Sequence, residues 1–319
     1  GIYLGIRWNS FFGVHDFEVI GEGEFSENRQ EYYIKMCEGM VKEICTNYGD
    51  LFEIWFDGGA DHPDRNGPDV LPIVRKYQPD CLFYHNSQLA EARWGGSETG
   101  TVSYPCWSTF PYPSTDGMIY PEISDNNFQL LKTGAPDGDY WMPAMSDAPL
   151  RGHNGGHEWV WEHGGEDYIY HLENLMDIYN KSFGRNSTLI LGLTPSPEGL
   201  LPEPDVNRLK EFGKKIKKFD KPLAKTNGSG KIIELSLQKP KLINHTIMME
   251  EITKGERVRN YVLEGLVVDN WIKLTEGTCI GHKRIEKFDE IKVSKVRLKI
   301  TEAVKKPLIK NLSLFKIME

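Results

Sequence analysis

The sequence predicts an α/β portion followed by an all-β portion, and three observations carry that prediction. Apolar strand-like runs alternate with helical periodicity up to about residue 219, the pattern switches to period two from about Lys231, and the charge divides between the same two regions. The chain has 319 residues and a formal net charge of −8, yet the residues from Asp220 onward carry a surplus of seven positive charges, leaving −15 for those before. A split of that size marks separate domains, expected at 1–222 and 231–319.

Each element follows from its own pattern. Ile2 to Ile6 reads as a short strand. Between Glu27 and Tyr48, the residues Tyr33, Met36, Met40, Val41 and Ile44 recur at helical spacing, and Asn47 with Gly49 supply a stop. Further strands are expected at Leu51 to Phe56, Cys81 to Tyr84, Tyr140 to Met142 and Ser187 to Leu193, and further helices at Asp69 to Tyr77, Glu166 to Phe183 and Asp205 to Phe219. About five apolar strands separated by helices imply parallel βαβ units, either a smaller open sheet or an incomplete barrel, because a closed one needs eight. DKPLAKTNGSG, from Asp220 to Gly230, is expected as the linker. Beyond it IIELSL, TIMMEEI, RNYVLEGLV, WIKLTEG, KVRLKI and LSLFKI alternate in short runs between turn residues, which is a β-sandwich pattern.

Composition narrows the function. A net charge of −8 argues against a nucleic-acid partner, whose phosphates demand a clustered basic face. No run of about 18 consecutive apolar residues is present to span a membrane. The start, GIYLGIRW, lacks both Met and a leader pattern and reads as the interior of a longer reading frame. Five cysteines, odd in number and without a CxxC, are expected as buried small hydrophobes rather than a disulfide framework. Of the eight tryptophans, Trp94, Trp107, Trp141, Trp159 and Trp161 lie in polar or Gly-rich stretches. Tryptophans beside carboxylates and histidines suit a sugar pocket, since a pyranose offers a C–H face for stacking and hydroxyls for hydrogen bonds.

Two carboxylates are candidates for chemistry. Asp57, in EIWFDGG, ends an apolar strand; Asp-Gly is also a common turn pair, but catalytic side chains of parallel α/β proteins project from the carboxyl ends of strands. Glu98, in ARWGGSETG, follows the next strand in a Gly-rich loop and is preceded by Arg93 and Trp94; a solvated loop acid is the alternative. Carboxylates from adjacent strand ends can approach to about 5 to 5.5 Å, the separation of a retaining glycosidase. One then attacks the anomeric carbon and the other protonates the leaving oxygen, and local residues leave the assignment reversible. The proton donor must hold its proton near neutral pH, through burial and the charge of its partner. His153, His157 and His163 cluster without HExxH spacing and suit substrate or backbone contacts better than a metal. GGADHPDRNGPD lacks the ligand spacing of a calcium loop, and Arg185 of FGRNS reads as structural.

These segments together resemble glycoside hydrolase family 29, the α-L-fucosidases, and most closely the subgroup acting on branched α-1,3 and α-1,4 fucosides. The resemblance covers nearly the whole chain through GIYL, NYGDLFEIWFDGG, RWGGSETG, CWST, WMPAMSD and YNKSFGRNSTLILGLTPSPEGLLPEPD. It implies Asp57 as nucleophile and Glu98 as acid/base, with Tyr3, Trp55, Arg93, Trp107 and Trp159 contacting sugar. It implies an incomplete (β/α)8-like barrel, about strands 4 to 8, followed by the C-terminal β-sandwich. By the family pattern the chain enters near the fourth strand, without the His-His-Asp-Gly-Phe segment, as an N-terminally truncated barrel whose own activity is open. The sequence also departs from the pattern in reading GGSE where the family reads GNE, and Met145 where it carries a carboxylate. The implied partner is a fucosylated oligosaccharide or glycoconjugate, in a periplasmic or extracellular setting, with no metal or organic cofactor. A non-catalytic glycan-binding protein and another retaining glycosidase are the rival expectations.

Overall fold

The structure, a computed structural model, describes residues 1–61, 63–86, 88–111, 125–156 and 158–317. The chain forms two compact units: Gly1–Arg93 with Phe110–Asn127 and Gly138–Met142, and Trp94–Thr109 with Phe128–Asp137 and Pro143–Glu319.

The first unit contains β1 (Ile2–Leu4), α1 (Glu24–Asn47), β2 (Glu53–Ala60), α2 (Val70–Tyr77) and β3 (Leu82–Asn86). The strands are parallel with β2 in the centre, and the register sets Tyr3 beside Trp55 and Trp55 beside Tyr84. A central parallel strand is covered on both faces, which is why Glu53 to Phe56 are all buried and why the run does not alternate. β2 continues beyond the expected end at Phe56, through a register shift where Gly58 and Gly59 adopt φ of 67° and 87°. α1 forms as its periodicity predicts, but its inner face is Tyr33, Cys37, Val41 and Cys45, spaced four apart and at most 3% exposed. The expected Met36 faces outward at 38% exposure, because the two cysteines fill the stripe as small hydrophobes. None of the five cysteines is in a disulfide, and all five are buried.

The second unit begins with an α/β portion: β4 (Ala144–Pro149), α3 (Leu172–Lys181), β5 (Ser187–Gly192) and α4 (Glu203–Ile216). β4 and β5 run parallel, with Ala144 opposite Ser187 and Pro149 opposite Gly192. The expected strand at Tyr140 to Met142 is only the pair Tyr140–Trp141, and the longer strand is β4. AMSDAP mixes small and polar residues, so it carries no apolar signature, although all six are buried. The helix expected from Glu166 starts instead at Leu172. Residues Gly165–Tyr168 form a separate 3₁₀ turn, and Tyr170 donates its backbone N–H to Leu150 O at 3.1 Å, drawing the intervening chain to the end of β4.

The remaining strands are β6 (Ala224–Ser229), β7 (Ile232–Glu250), β8 (Val258–Val267), β9 (Asn270–Gly277), β10 (Arg284–Ala303) and β11 (Leu308–Phe315). They join in one antiparallel sheet of order β6-β11-β7-β10-β8-β9. The expected linker is corrected here, since Ala224–Ser229 pairs with β11 as an edge strand, its alternation hidden by Asn and Gly. A sandwich pattern from sequence becomes continuous hydrogen bonding in the fold. β7 and β10 are 19 and 20 residues long, and register shifts between Ser236 and Lys241 and between Ile243 and His245 bend their ladder. Ile233 and Leu235 from one half of β7 therefore share a core with Ile243 and Met248 from the other. Past the bend, His245–Met248 are all buried because both faces are covered: Ile247 packs in a second core with Leu175, Tyr179, Phe212 and Phe315. The period of two fails there for that reason. In the first turn of α4, Asp205 accepts two hydrogen bonds from Arg151 at 2.9 and 2.6 Å, both side chains essentially buried.

Candidate active site

Asp57 lies towards the carboxyl end of β2, two residues after Trp55 and so on the same face of the strand. Trp55 is flanked in register by Tyr3 and Tyr84, with ring centroids 5.3 and 5.9 Å away in edge contacts. This aromatic row fixes the strand face from which Asp57 projects. The Tyr3 hydroxyl donates to Asp57 Oδ2 at 2.5 Å. A donor on one oxygen orients the carboxylate, while the remaining lone pairs stay available to accept. Tyr3 is 55% exposed, so this end of the row faces outward in the described chain.

Glu98 is held differently, on the loop from Trp94 to Gly100. Three hydrogen bonds tie that loop to β4: Trp94 Nε1 donates to Asp147 Oδ1, Gly95 N to Met145 O, and Gly100 N to Asp147 O, each at 2.7 Å. Gly100 has φ of 68°, and a Cβ there would lie 2.7 Å from Ile178 Cγ2, so the loop passes where only glycine fits. Trp159 Nε1 donates to Glu98 Oε2 at 3.3 Å. The Trp159 ring rests on Gly192 at the end of β5, where an added Cβ would come within 2.6 Å of it.

Two expected sugar contacts occupy buried positions. Arg93 is fully buried, donating from Nη1 to Met142 O at 2.5 Å with its guanidinium 5.9 Å from the Phe110 ring centroid. Trp107 is 5% exposed beneath the Arg259 guanidinium, 4.7 Å from its ring, and its backbone N–H is donated to Thr133 O. The structure thus brings together Tyr3, Trp55 and Asp57 in one unit and Glu98 and Trp159 in the other, while Arg93 is buried in the first and Trp107 in the second. Tyr84 and Asp147 were not singled out by the sequence. Tyr84 could have been found by aligning LFYHN with EIWFD in register. Asp147 supplies a carboxylate two residues beyond Met145, on the same strand face, within the segment where the family pattern carries one.

Other candidates have local roles. His153 packs against His171 at 4.3 Å and His163 against Trp161 at 6.2 Å, whereas His157 lies outside the described residues. Among the described residues, no three His, Cys, Asp or Glu side chains are grouped so as to hold a metal ion. In GGADHPDRNGPD, Arg65 pairs with Asp61 at 2.6 Å and Pro63–Arg65 make a 3₁₀ turn; His62 is outside the described residues. Arg185 donates to Val102 O at 3.0 Å and Asn186 to Cys106 O at 2.9 Å, so the SFGRN segment is structural. No helix among the described residues is long and apolar enough to cross a membrane.

No protein-family model matches the chain. A crystal structure from Bacteroides thetaiotaomicron, provisionally named an α-L-fucosidase, is 53% identical, with a TM-score of 0.91 over 100% of this chain and 73% of that one. A glycoside hydrolase 29 family member from an unknown rumen bacterium is 27% identical, with a TM-score of 0.76 over 100% of this chain and 58% of that one. The Arabidopsis thaliana protein named alpha-L-fucosidase 1 is 25% identical over 89% of this chain and 61% of its own length. The chain spans about three fifths of the curated plant relatives it matches, 59% in one and 61% in the other. Identity of 53% along the full chain, with the same fold, decides the assignment: the chain belongs to the α-L-fucosidase family, glycoside hydrolase family 29.

Proposed function

We propose that this chain is the greater part of a retaining α-L-fucosidase that removes terminal α-L-fucose from glycans, in α-1,3 or α-1,4 linkage. The observation that carries the reading is Asp57, oriented by the Tyr3 hydroxyl at the carboxyl end of a parallel strand. Residues 1–222 supply the catalytic portion, equivalent to about strands 4 to 8 of a (β/α)8-like barrel. Residues 231–319, extended by the edge strand at 224–229, supply the appended β-sandwich domain.

In the proposed mechanism, Asp57 attacks the anomeric carbon as Glu98 gives its proton to the departing glycosidic oxygen. Glu98 then takes a proton from water, which attacks the fucosyl-Asp57 ester and releases fucose with net retention. Tyr3 keeps one oxygen of Asp57 fixed while the other reacts. Trp55 offers an apolar face beside the nucleophile, and Trp159 orients the Glu98 carboxyl. A fucosylated oligosaccharide is the substrate this arrangement suits.

The test is release of phenol from an aryl α-L-fucoside by the full-length protein and by Asp57→Ala. The variant should lose activity by more than about 10³-fold while keeping its fold. Azide should restore turnover in the variant as β-fucosyl azide, because the small anion enters the vacated face. Undiminished release by folded Asp57→Ala would sink the nucleophile assignment. A non-catalytic glycan-binding protein would bind the fucoside and release nothing even in its native form.

A further inference from the structure

Glu98 is exposed, and its carboxyl is oriented by a residue that itself lies outside any helix or strand. The Trp159 indole donates from Nε1 to Glu98 Oε2 at 3.3 Å, while the next residue, Val160, is 68% exposed. An indole in such a stretch swings unless something seats it. The backbone is pinned one residue earlier, where Glu158 donates its N–H to Arg151 O at 3.1 Å. The ring is seated at the paired ends of β4 and β5, where Pro149 stands opposite Gly192.

Gly192 shapes that seat. A Cβ there would lie 2.6 Å from Trp159 Cζ3 and 2.9 Å from Cε3, well inside the roughly 3.5–4.0 Å at which carbon atoms pack. Its third neighbour, Pro149 Cα, would stand at an ordinary contact distance of 3.5 Å. Gly192 is not in the left-handed region, so its backbone suits a residue with a side chain. Glycine weakens a strand, and nothing in the local backbone asks for it. What the missing Cβ provides is room for the indole. Cε3 and Cζ3 lie on the benzo edge, across the ring from Nε1, so an edge pushed off Gly192 turns the donor away from Glu98.

We propose that Gly192 is a positioning residue for the acid/base, acting on Glu98 through the Trp159 ring. The proposal rests on the fucosidase reading in which Glu98 protonates the leaving oxygen. It gives Trp159 a task besides the sugar contact that the resemblance implies: with its ring against Gly192, the indole N–H fixes one oxygen of the carboxyl and so sets where the other points. Such aim matters most where the leaving oxygen most needs a proton. A phenolate leaves poorly without one, whereas a chloronitrophenolate leaves readily.

The experiment measures kcat/KM of the full-length protein on phenyl α-L-fucoside and chloronitrophenyl α-L-fucoside, which differ in leaving group and share the absence of a second sugar. The native protein is compared with Gly192→Ala, Trp159→Ala and the double variant, with Glu98→Gln as reference. Gly192→Ala should lose about tenfold on the phenyl fucoside and less than about twofold on the chloronitrophenyl one, with an unchanged or higher melting temperature. In the Trp159→Ala background the same substitution should cost less than about twofold on either substrate, because the ring it displaces is gone. Equal losses on both substrates, no loss on either, or a loss in Gly192→Ala that persists without the Trp159 ring would overturn the proposal. If Gly192→Ala does not fold, Trp159→Phe decides: it keeps an aromatic ring beside Gly192 without the N–H, and an absence of the same selective loss overturns the proposal. If Glu98→Gln cleaves the phenyl fucoside as fast as the native protein, the acid/base reading fails and the proposal with it. A large loss in Glu98→Gln with none in Gly192→Ala overturns the proposal alone.

Discussion

Asp57 and Glu98 are presented by opposite means. Asp57 stands on the central strand of a parallel sheet, where the register of three strands lines up Tyr3, Trp55 and Tyr84 and one hydroxyl aims the carboxylate. Glu98 stands on a loop with no regular structure of its own, tied to β4 by three hydrogen bonds and threaded past β-strand and helix atoms by glycine. The first arrangement is stiff because a ladder of backbone bonds would have to slip to move it. The second depends on a few side-chain and loop bonds, each of which can be removed singly. In the proposed mechanism the group that gives up and regains a proton within one turnover is thus carried on the more adjustable support, and the proposed nucleophile on the rigid one.

The largest test of this contrast is Glu98→Gln, which should lower kcat on a natural fucoside by roughly 10²–10⁴-fold, the range for loss of general acid–base catalysis. An aryl fucoside with a good leaving group should be hit less in its first step, and a uniform loss on both would mean that Glu98 does not protonate the leaving oxygen. Next comes the support of the acid loop. Asp147→Ala takes the acceptor from Trp94 Nε1 and should cost about 1–3 kcal/mol of stability, read as a lower urea midpoint, together with a lower kcat. A loss of stability with unchanged kcat would show that the strap does not position Glu98. The smallest effect is expected for Tyr3→Phe, which leaves Asp57 on its strand and removes only one donor. Its loss of about 1.5 kcal/mol corresponds to roughly tenfold in kcat/KM with no change in melting temperature. If Tyr3→Phe proved worse than Asp147→Ala, the nucleophile would depend on its tether more than on its sheet.

How much of this was legible beforehand varies with the kind of interaction. The run EIWFDGG announces a buried strand ending in a carboxylate, and buried parallel strands are readable because both faces are apolar. α1 was legible in position, yet its inner face was misjudged where Cys37 and Cys45 replaced larger hydrophobes in the stripe. β4 was invisible, since Ala, Ser and Asp are buried there by what packs over them rather than by their own hydrophobicity. Arg93 and Trp107 are expected as sugar contacts from the resemblance, and what only the fold shows is their burial, Arg93 against Phe110 and Trp107 beneath Arg259.

The amino-acid sequence by itself determined the parallel α/β portion, the change to alternating strands near residue 231, and the two carboxylates, because periodicity and residue chemistry are local properties of the chain. Only the tertiary structure decided that Ala224–Ser229 closes a sheet edge, that β7 and β10 bend to enclose one core, and that Asp147 provides the side-chain carboxylate that ties down the loop carrying Glu98. Each of those depends on partners far apart in the chain, and the hydrogen bonds and burial that choose among such partners exist only after the strands have paired.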